Sequence, residues 1–456
     1  MQDLKNLSRN KYASRSGINL FKRGNRKILP SESPLPFRLP LPEGKKRQQL
    51  KLILLFIAAV LALTPVCITL FRKSAETAKT VLATLNRPPA AAPQPREPQP
   101  GPFARAASLL DTATDTAGAL TARTPEGDTI HYTIRGELQQ KVHGFLAENQ
   151  VPYGVFVAIE PSSGRILALT SYSAADPAWT RNAYLDLYPM ASLFKIITAS
   201  AALEQKKITP DTVIEFRGRS CSESPRYWET SPRGRNSRID LTSAMARSIN
   251  PVYGRVASDI AGKESVMECA DRFGFNQQLL PGTLTKESRA GEPKSSHELM
   301  LMGAGLDHEV KISPLHAAVI MAAIANNGTM MSPSLTEQVT TARGENRDMF
   351  EAKELRRLVT PETASSLTRM LSTTVTSGTS RRAFHDRRGR PKLNVEVAAK
   401  TGSISGTDPR GHYSWFAAYA PARNPRIALV ALVINQDRWK IKSSQVGEQA
   451  LQVFFN

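Results

Sequence analysis

The chain has 456 residues, 41% hydrophobic and 22% charged, an ordinary globular composition with ample material for a large core. Its formal charge is +20, a balance that can signal nucleic acid or anionic lipid. No nucleic-acid motif accompanies it, and half of the excess sits in residues 1–51, which carry 13 Lys/Arg against three acidic residues, so nucleic acid is excluded as a partner.

Residues 1–51 lack sustained periodicity and carry several prolines, which predicts a disordered basic tail. Leu52–Phe71 follows as twenty residues without a charge. At about 1.5 Å per residue this length matches a hydrocarbon core of about 30 Å. Lys45, Lys46, Arg47 and Lys51 precede the run, and Lys/Arg ahead of a span place the N-terminus in the cytoplasm. The run is too long, and too far from residue 1, for a typical cleaved signal peptide. Residues 72–127 include RPPAAAPQPREPQPGP and read as an extended Pro-rich linker.

A folded domain is predicted over 128–456. Val155–Ile159 and Arg165–Thr170 are apolar runs joined by Glu-Pro-Ser-Ser-Gly, a hairpin signal. Ala191–Gln205 reads as a buried helix and residues 210–345 as mostly helical, with Pro314–Asn326, closed by Gly328, the clearest case. Val395–Ala399, Tyr413–Ala420 and Arg426–Ile434 read as three strands, and Ser443–Phe454 as a closing helix. Strands, helices, then strands again predict an α/β (α+β) domain: a central antiparallel sheet assembled from both ends of the domain, flanked by helices, with an all-helical insertion. Cys67 lies in the apolar run. Cys221 and Cys269 are compatible with one bridge or with two free thiols.

Three short motifs carry chemistry. Ser192-Leu193-Phe194-Lys195 is S-x-x-K. A serine hydroxyl needs a base to take its proton, and on a helix residue i+3 shares a face with residue i, so Lys195 reaches Ser192. A lysine buried beside a second cation loses its proton readily enough to act as that base. Ser248-Ile249-Asn250 is S-x-N, placed before Pro251 at a helix break. It offers a hydroxyl to relay a proton between Lys195 and a leaving group, and an amide to hold a substrate. Lys400-Thr401-Gly402, followed by Ser403, is K-T-G. Lys400 supplies positive charge for a carboxylate, Gly402 lets a ligand approach the backbone, and the N–H of Ser403 with that of Ser192 forms an oxyanion hole.

Each motif alone is weak; the set, in this order, resembles the penicillin-binding protein transpeptidases. The likeness covers roughly residues 130–456. It extends to Asn182–Pro189, to Met302–Asn326 with Gly328, to Val375–Ala383 (VTSGTSRRA) and to Trp415–Pro421. Two positions depart from the family pattern: Ala191 stands where Gly usually precedes the serine, and Ser403 where many members carry Thr. The segment between apolar run and domain is too short for a glycosyltransferase domain or the usual N-terminal pedestal.

The resemblance implies a peptidoglycan D,D-transpeptidase. Ser192 would be the nucleophile, Lys195 the base, Ser248 and Lys400 the proton donors to departing D-Ala. Asn250, Thr401, Gly402 and Ser403 would bind substrate, the two hydroxyls on its terminal carboxylate. It implies no metal or cofactor. Partners would be peptidoglycan stem peptides, β-lactam antibiotics, the cytoplasmic membrane and other cell-wall synthesis proteins, and the domain would lie in the periplasm behind a single transmembrane helix. A D,D-carboxypeptidase or a β-lactamase would use the same serine; Asn250 and the absence of a second catalytic Glu weigh against the latter. A catalytically silent scaffold is the reading from another class. No G-x-S-x-G elbow or Walker A loop occurs, and Leu301 spoils H-E-x-x-H at His297.

Overall fold

A computed structural model describes residues 57–58, 63–65, 68–69, 72–74, 101–116, 119–280 and 282–456. The chain divides into two units, Met1–Arg96 and Glu97–Asn456. The described residues of the first are helical and exposed. The basic tail 1–51, most of the Leu52–Phe71 run and residues 75–100 of the Pro-rich segment lie outside the described residues. Among the described residues, no helix is long and apolar enough to cross a membrane.

The second unit is built from helix α1 (Gly136–Glu148), strands β1 (Tyr153–Ile159) and β2 (Ile166–Tyr172), helices α2 (Lys195–Glu204), α3 (Leu241–Ala246), α4 (Asn250–Arg255), α5 (Ser296–Ala304), α6 (Pro314–Ala325) and α7 (Pro361–Thr376), strands β3 (Ala398–Thr407), β4 (Arg410–Ala420) and β5 (Ile427–Asn435), and helix α8 (Ser443–Phe455), with shorter elements between. The sheet runs β3–β4–β5–β1–β2, antiparallel throughout. Strands from both ends of the domain meet at the β5–β1 seam, where Val430 faces Val157.

β5 is buried along its whole length because both faces of the sheet are covered. Leu429, Ala431 and Val433 point to one face, where α1 and α8 contribute Leu138, Val142, Leu146, Val446, Ala450 and Leu451. Gly447 lets α8 come this close: a Cβ there would stand 2.3 Å from the Phe416 ring. Val430, Leu432 and Ile434 point to the other face with α2, α6 and α7. α6 is buried at all twelve positions, as a helix apolar on every side but for His316 requires, and the His316 ring is satisfied by Ser288 Oγ and the Phe273 carbonyl. Ser313 caps the helix by accepting from the His316 N–H at 3.1 Å, with Pro314 in the first turn. Each fully buried Leu or Val on these faces is worth about 1.5–3 kcal/mol.

Three features differ from the sequence reading. First, the fold begins before residue 128. Pro102–Ser108 is helical, and Thr114–Thr116, Ala119–Arg123 and Thr129–Tyr132 join Thr336–Thr340 and Asn346–Arg347 in a second five-stranded sheet. Val339 pairs with Ile130; short, mostly polar strands whose partners lie some two hundred residues away leave no local pattern. Second, the insertion is not all-helical: Val213–Phe216 and Ser237–Asp240 pair as a hairpin. Third, β3 starts at Ala398 and runs through K-T-G to Thr407. The strand expected over Val395–Ala399 is thus shifted towards the C-terminus, and it pairs along β4, Gly402 to Trp415 and Gly406 to Gly411. Cys221 is exposed and Cys269 buried, and both are free thiols.

Candidate active site

The approach to Ser192 is fixed from both sides. Tyr188 and Pro189 pair with Ile312 and Lys311, and Trp415 Nε1 donates to the Pro189 carbonyl at 2.9 Å. The chain then turns sharply at Ala191, whose φ is 53°, into a 3₁₀ turn, Ala191–Phe194, that runs on into α2. Ser192 opens this turn and Lys195 lies one turn on. Nine of the ten α2 residues are buried, so the lysine has no route to solvent. Its Nζ lies 2.8 Å from Ser192 Oγ and 2.8 Å from Asn250 Oδ1, and it also donates to the Ala304 carbonyl at the end of α5.

Ser248 occupies the break between α3 and α4, again with positive φ, 55°. Asn250 starts α4 and is held completely: its N–H donates to Ser220 O at 2.9 Å, its Nδ2 to Ser222 O at 3.2 Å, and its Oδ1 accepts from Lys195. Lys400 rises from β3 and is fully buried. Its Nζ donates to Ser248 Oγ at 2.8 Å and to Thr401 O at 2.7 Å. Thr401 Oγ1 meets Thr379 Oγ1 at 2.6 Å. β3 passes Ser192 so closely that a Cβ on Gly402 would stand 3.1 Å from Ala191 Cβ and 3.4 Å from Ser192 N. Ser403 is next along the strand, exposed.

Burial sets the electrostatics. Loss of hydration holds the Lys195 ammonium well below the usual lysine range, and the Lys400 charge pushes it the same way. Lys400 is lowered to about 7 by burial. Two non-glycine residues at the site, Ala191 and Ser248, lie in the left-handed region and carry backbone strain of about 1–2 kcal/mol each.

The structure thus forms two hydrogen-bonded groups, Ser192–Lys195–Asn250 and Ser248–Lys400–Thr401, which meet where Gly402 passes Ser192, with Ser403 next along the strand. One relation differs from the sequence reading: Ser248 bonds Lys400 rather than Lys195. Three contributors were not read from sequence. Ala304 acts through its carbonyl, which no side chain announces. Gly305 has φ 69°, and a Cβ there would stand 2.1 Å from the Ala191 carbonyl. Thr379 lies in the VTSGTSRRA segment, and that likeness was its signal. A cavity of about 890 Å³ lies elsewhere, between α7 and the 422–426 turn, and no motif residue lines it.

Comparison with known proteins gives the same picture. The family model for the penicillin binding protein transpeptidase domain matches residues 154–453. Peptidoglycan D,D-transpeptidase PbpA of Mycobacterium tuberculosis is 30% identical over 356 residues, 70% of this chain and 70% of the relative. Among solved structures, the penicillin G acyl-enzyme complex of penicillin-binding protein A from M. tuberculosis has 26% identity and a TM-score of 0.61, covering 73% of this chain and 82% of that one. The D,D-transpeptidase domain of a peptidoglycan glycosyltransferase from Eggerthella lenta shares the fold, with a TM-score of 0.62 at 24% identity over 78% of this chain and 91% of that one.

Proposed function

Since this chain belongs to the penicillin-binding protein transpeptidase family, we propose that it is a peptidoglycan D,D-transpeptidase that cross-links stem peptides through an acyl-serine and is acylated by β-lactams. The observation that carries the assignment of residues is the set of partners around Lys195. A neutral amine has two N–H bonds and one lone pair. Asn250 Oδ1 and the Ala304 carbonyl are acceptors, so they take the two N–H bonds. The lone pair is left facing the hydroxyl of Ser192. Burial, which pushes the Lys195 ammonium well below the usual lysine range, favours the neutral amine that serves as base for Ser192.

Ser192 Oγ attacks the carbonyl of the penultimate D-Ala as its proton passes to Lys195. The charge that develops on the carbonyl oxygen is met by the N–H groups of Ser192 and Ser403; one such donor is worth about 3 kcal/mol. The Ser248–Lys400 pair delivers a proton to the departing D-Ala nitrogen, and the C–N bond breaks. Thr401, steadied by Thr379, and Ser403 hold the substrate carboxylate, and Asn250 a substrate amide. An amine from a neighbouring strand then attacks the acyl-serine and gives its proton to the Ser248–Lys400 pair, while the C–O bond to Ser192 breaks and Lys195 returns its proton to Ser192 Oγ. A β-lactam enters by the same attack, but its leaving nitrogen stays tethered.

The same reading gives the chain a basic cytoplasmic tail (1–51), a single membrane span (Leu52–Phe71), a Pro-rich spacer and a transpeptidase domain in the periplasm. It is supported by the uncharged twenty-residue run, by the Lys/Arg excess before it, and by the exposure of Ile57, Leu63 and Ile68 within it. The test is to incubate the full chain in detergent with a D-Ala-D-Ala peptide and an amine acceptor. Transfer product should dominate and Ser192→Ala should abolish both it and labelling by a fluorescent penicillin. Hydrolysis alone would make the enzyme a carboxypeptidase, and persistent labelling would remove Ser192 as nucleophile.

A further inference from the structure

Between Phe216 and Ile239, the two arms of the small hairpin and the excursion joining them, the sequence holds six arginines, no lysine and two acidic residues, Glu223 and Glu229. The arginines are 217, 219, 226, 233, 235 and 238, and all are exposed. Among the described residues none of the six forms an ion pair. Arg165, Arg255, Arg347, Arg369 and Arg390, by contrast, each meet a carboxylate. The lobe is also firmly placed. Trp228 is completely buried beneath it, donates from Nε1 to Ser222 Oγ at 2.9 Å, and packs so tightly on α4 that a Cβ at Gly254 would stand 2.4 Å from its ring. The carbonyls of Ser220 and Ser222, interleaved with these arginines, hold Asn250, which in turn touches Lys195. The segment that carries the unpaired positive charge is therefore hydrogen-bonded directly to the candidate site through Ser220 and Ser222.

We infer that this arginine lobe is a docking surface for the carboxylate-bearing stem peptides of peptidoglycan strands, guiding them into the groove; this rests on the transpeptidase reading above. Arginine suits the task. Its planar fork binds carboxylates in a bidentate manner and stays charged at every working pH, whereas Lys400 loses its proton near 7. Unpaired surface charge of one sign attracts an anionic partner over about 8–10 Å at moderate salt and speeds encounter. Contact with Asn250 ties the lobe to the reacting centre, which favours the substrate over an anionic membrane surface.

The test compares the full chain in neutral detergent with the variant R217Q/R219Q/R233Q/R235Q. Un-cross-linked peptidoglycan strands serve as probe, native or with their carboxylates amidated. The variant should bind native strands at least tenfold more weakly at low salt, the gap should narrow as salt rises, and the two proteins should bind amidated strands alike. Penicillin labelling of Ser192 reports intact folding; should the quadruple variant lose it, R233Q/R235Q, at the exposed turn, should still weaken strand binding about threefold. Equal binding of native strands by variant and wild type overturns the inference, as does undiminished binding of amidated strands by the wild type. Loss confined to phosphatidylglycerol vesicles would make the lobe a membrane contact and overturn it too. Failure of penicillin to label the wild-type chain would instead overturn the transpeptidase reading.

Discussion

The two faces of the central sheet are made by opposite rules. The face under α1 and α8 buries aliphatic and aromatic side chains and nothing that titrates from the sheet itself. The opposite face begins as the same kind of core, then at the β3 end takes in two fully buried lysines and borders two strained non-glycine turns. Burying a lysine without an acidic partner is costly, and here no carboxylate accompanies either one. One face contributes stability and the other spends it on a desolvated amine beside a serine. A site arranged for function against local stability is expected to behave this way under substitution.

The sharpest way to break this contrast is Lys195→Ala. It should lower acylation of Ser192 by fluorescent penicillin by about 10²–10⁴-fold, the usual worth of a positioned base, while thermal unfolding holds or improves. A variant that acylates normally would show that burial of Lys195 serves packing alone. On the other face, Leu429→Ala should cost about 2–5 kcal/mol of stability in denaturant unfolding and leave the acylation rate of the folded fraction within a factor of two. A large rate change there would mean that the two faces are coupled.

Lys400→Met sharpens the comparison through pH. The folded Lys400 titrates near 7, against about 10.4 in the unfolded chain. Between those values the unfolded state holds the extra proton, so this residue makes stability rise with pH across that window and contributes no slope below it. The methionine variant should therefore melt higher than wild type at pH 6, less the hydrogen bonds lost at Ser248 and Thr401, and its advantage should shrink steadily towards pH 10 in calorimetry. An advantage that stays flat with pH would mean that Lys400 is not buried uncharged at high pH. The smallest effect belongs to Ala191→Gly, which relieves a positive φ and should stabilise by about 1 kcal/mol, with acylation little changed. Destabilisation would show that the Ala191 methyl, close to Gly402, is a packing contact that outweighs the strain.

Much of the site was readable because each motif is local. Lys195 follows Ser192 by one turn, Asn250 starts a helix that Pro251 marks, and Lys400 precedes a glycine that only a close approach explains. The apolar runs of β1, β5 and α6 were equally plain, since burial on all sides leaves unbroken hydrophobic stretches. What escaped depends on distant partners. The strand Thr129–Tyr132 gains its meaning from Thr336–Thr340, and β3 beyond Gly402 from β4. The Ala304 carbonyl matters only because Lys195 arrives beneath it, and no residue type encodes that. The hairpin of the insertion is short, two four-residue arms separated by an arginine-rich excursion that hides their pairing.

The two hydrogen bonds that complete the candidate site close very long loops: Lys195 to Asn250 spans 55 residues and Lys400 to Ser248 spans 152. No fragment holding one or two of the motifs possesses the reactive constellation, and a collapsed intermediate that has not yet docked β3 against α2 lacks it as well. A covalent penicillin tag thus counts native molecules. Pulse-labelling during refolding would time the last docking step in the domain, using the enzyme's own chemistry as the clock.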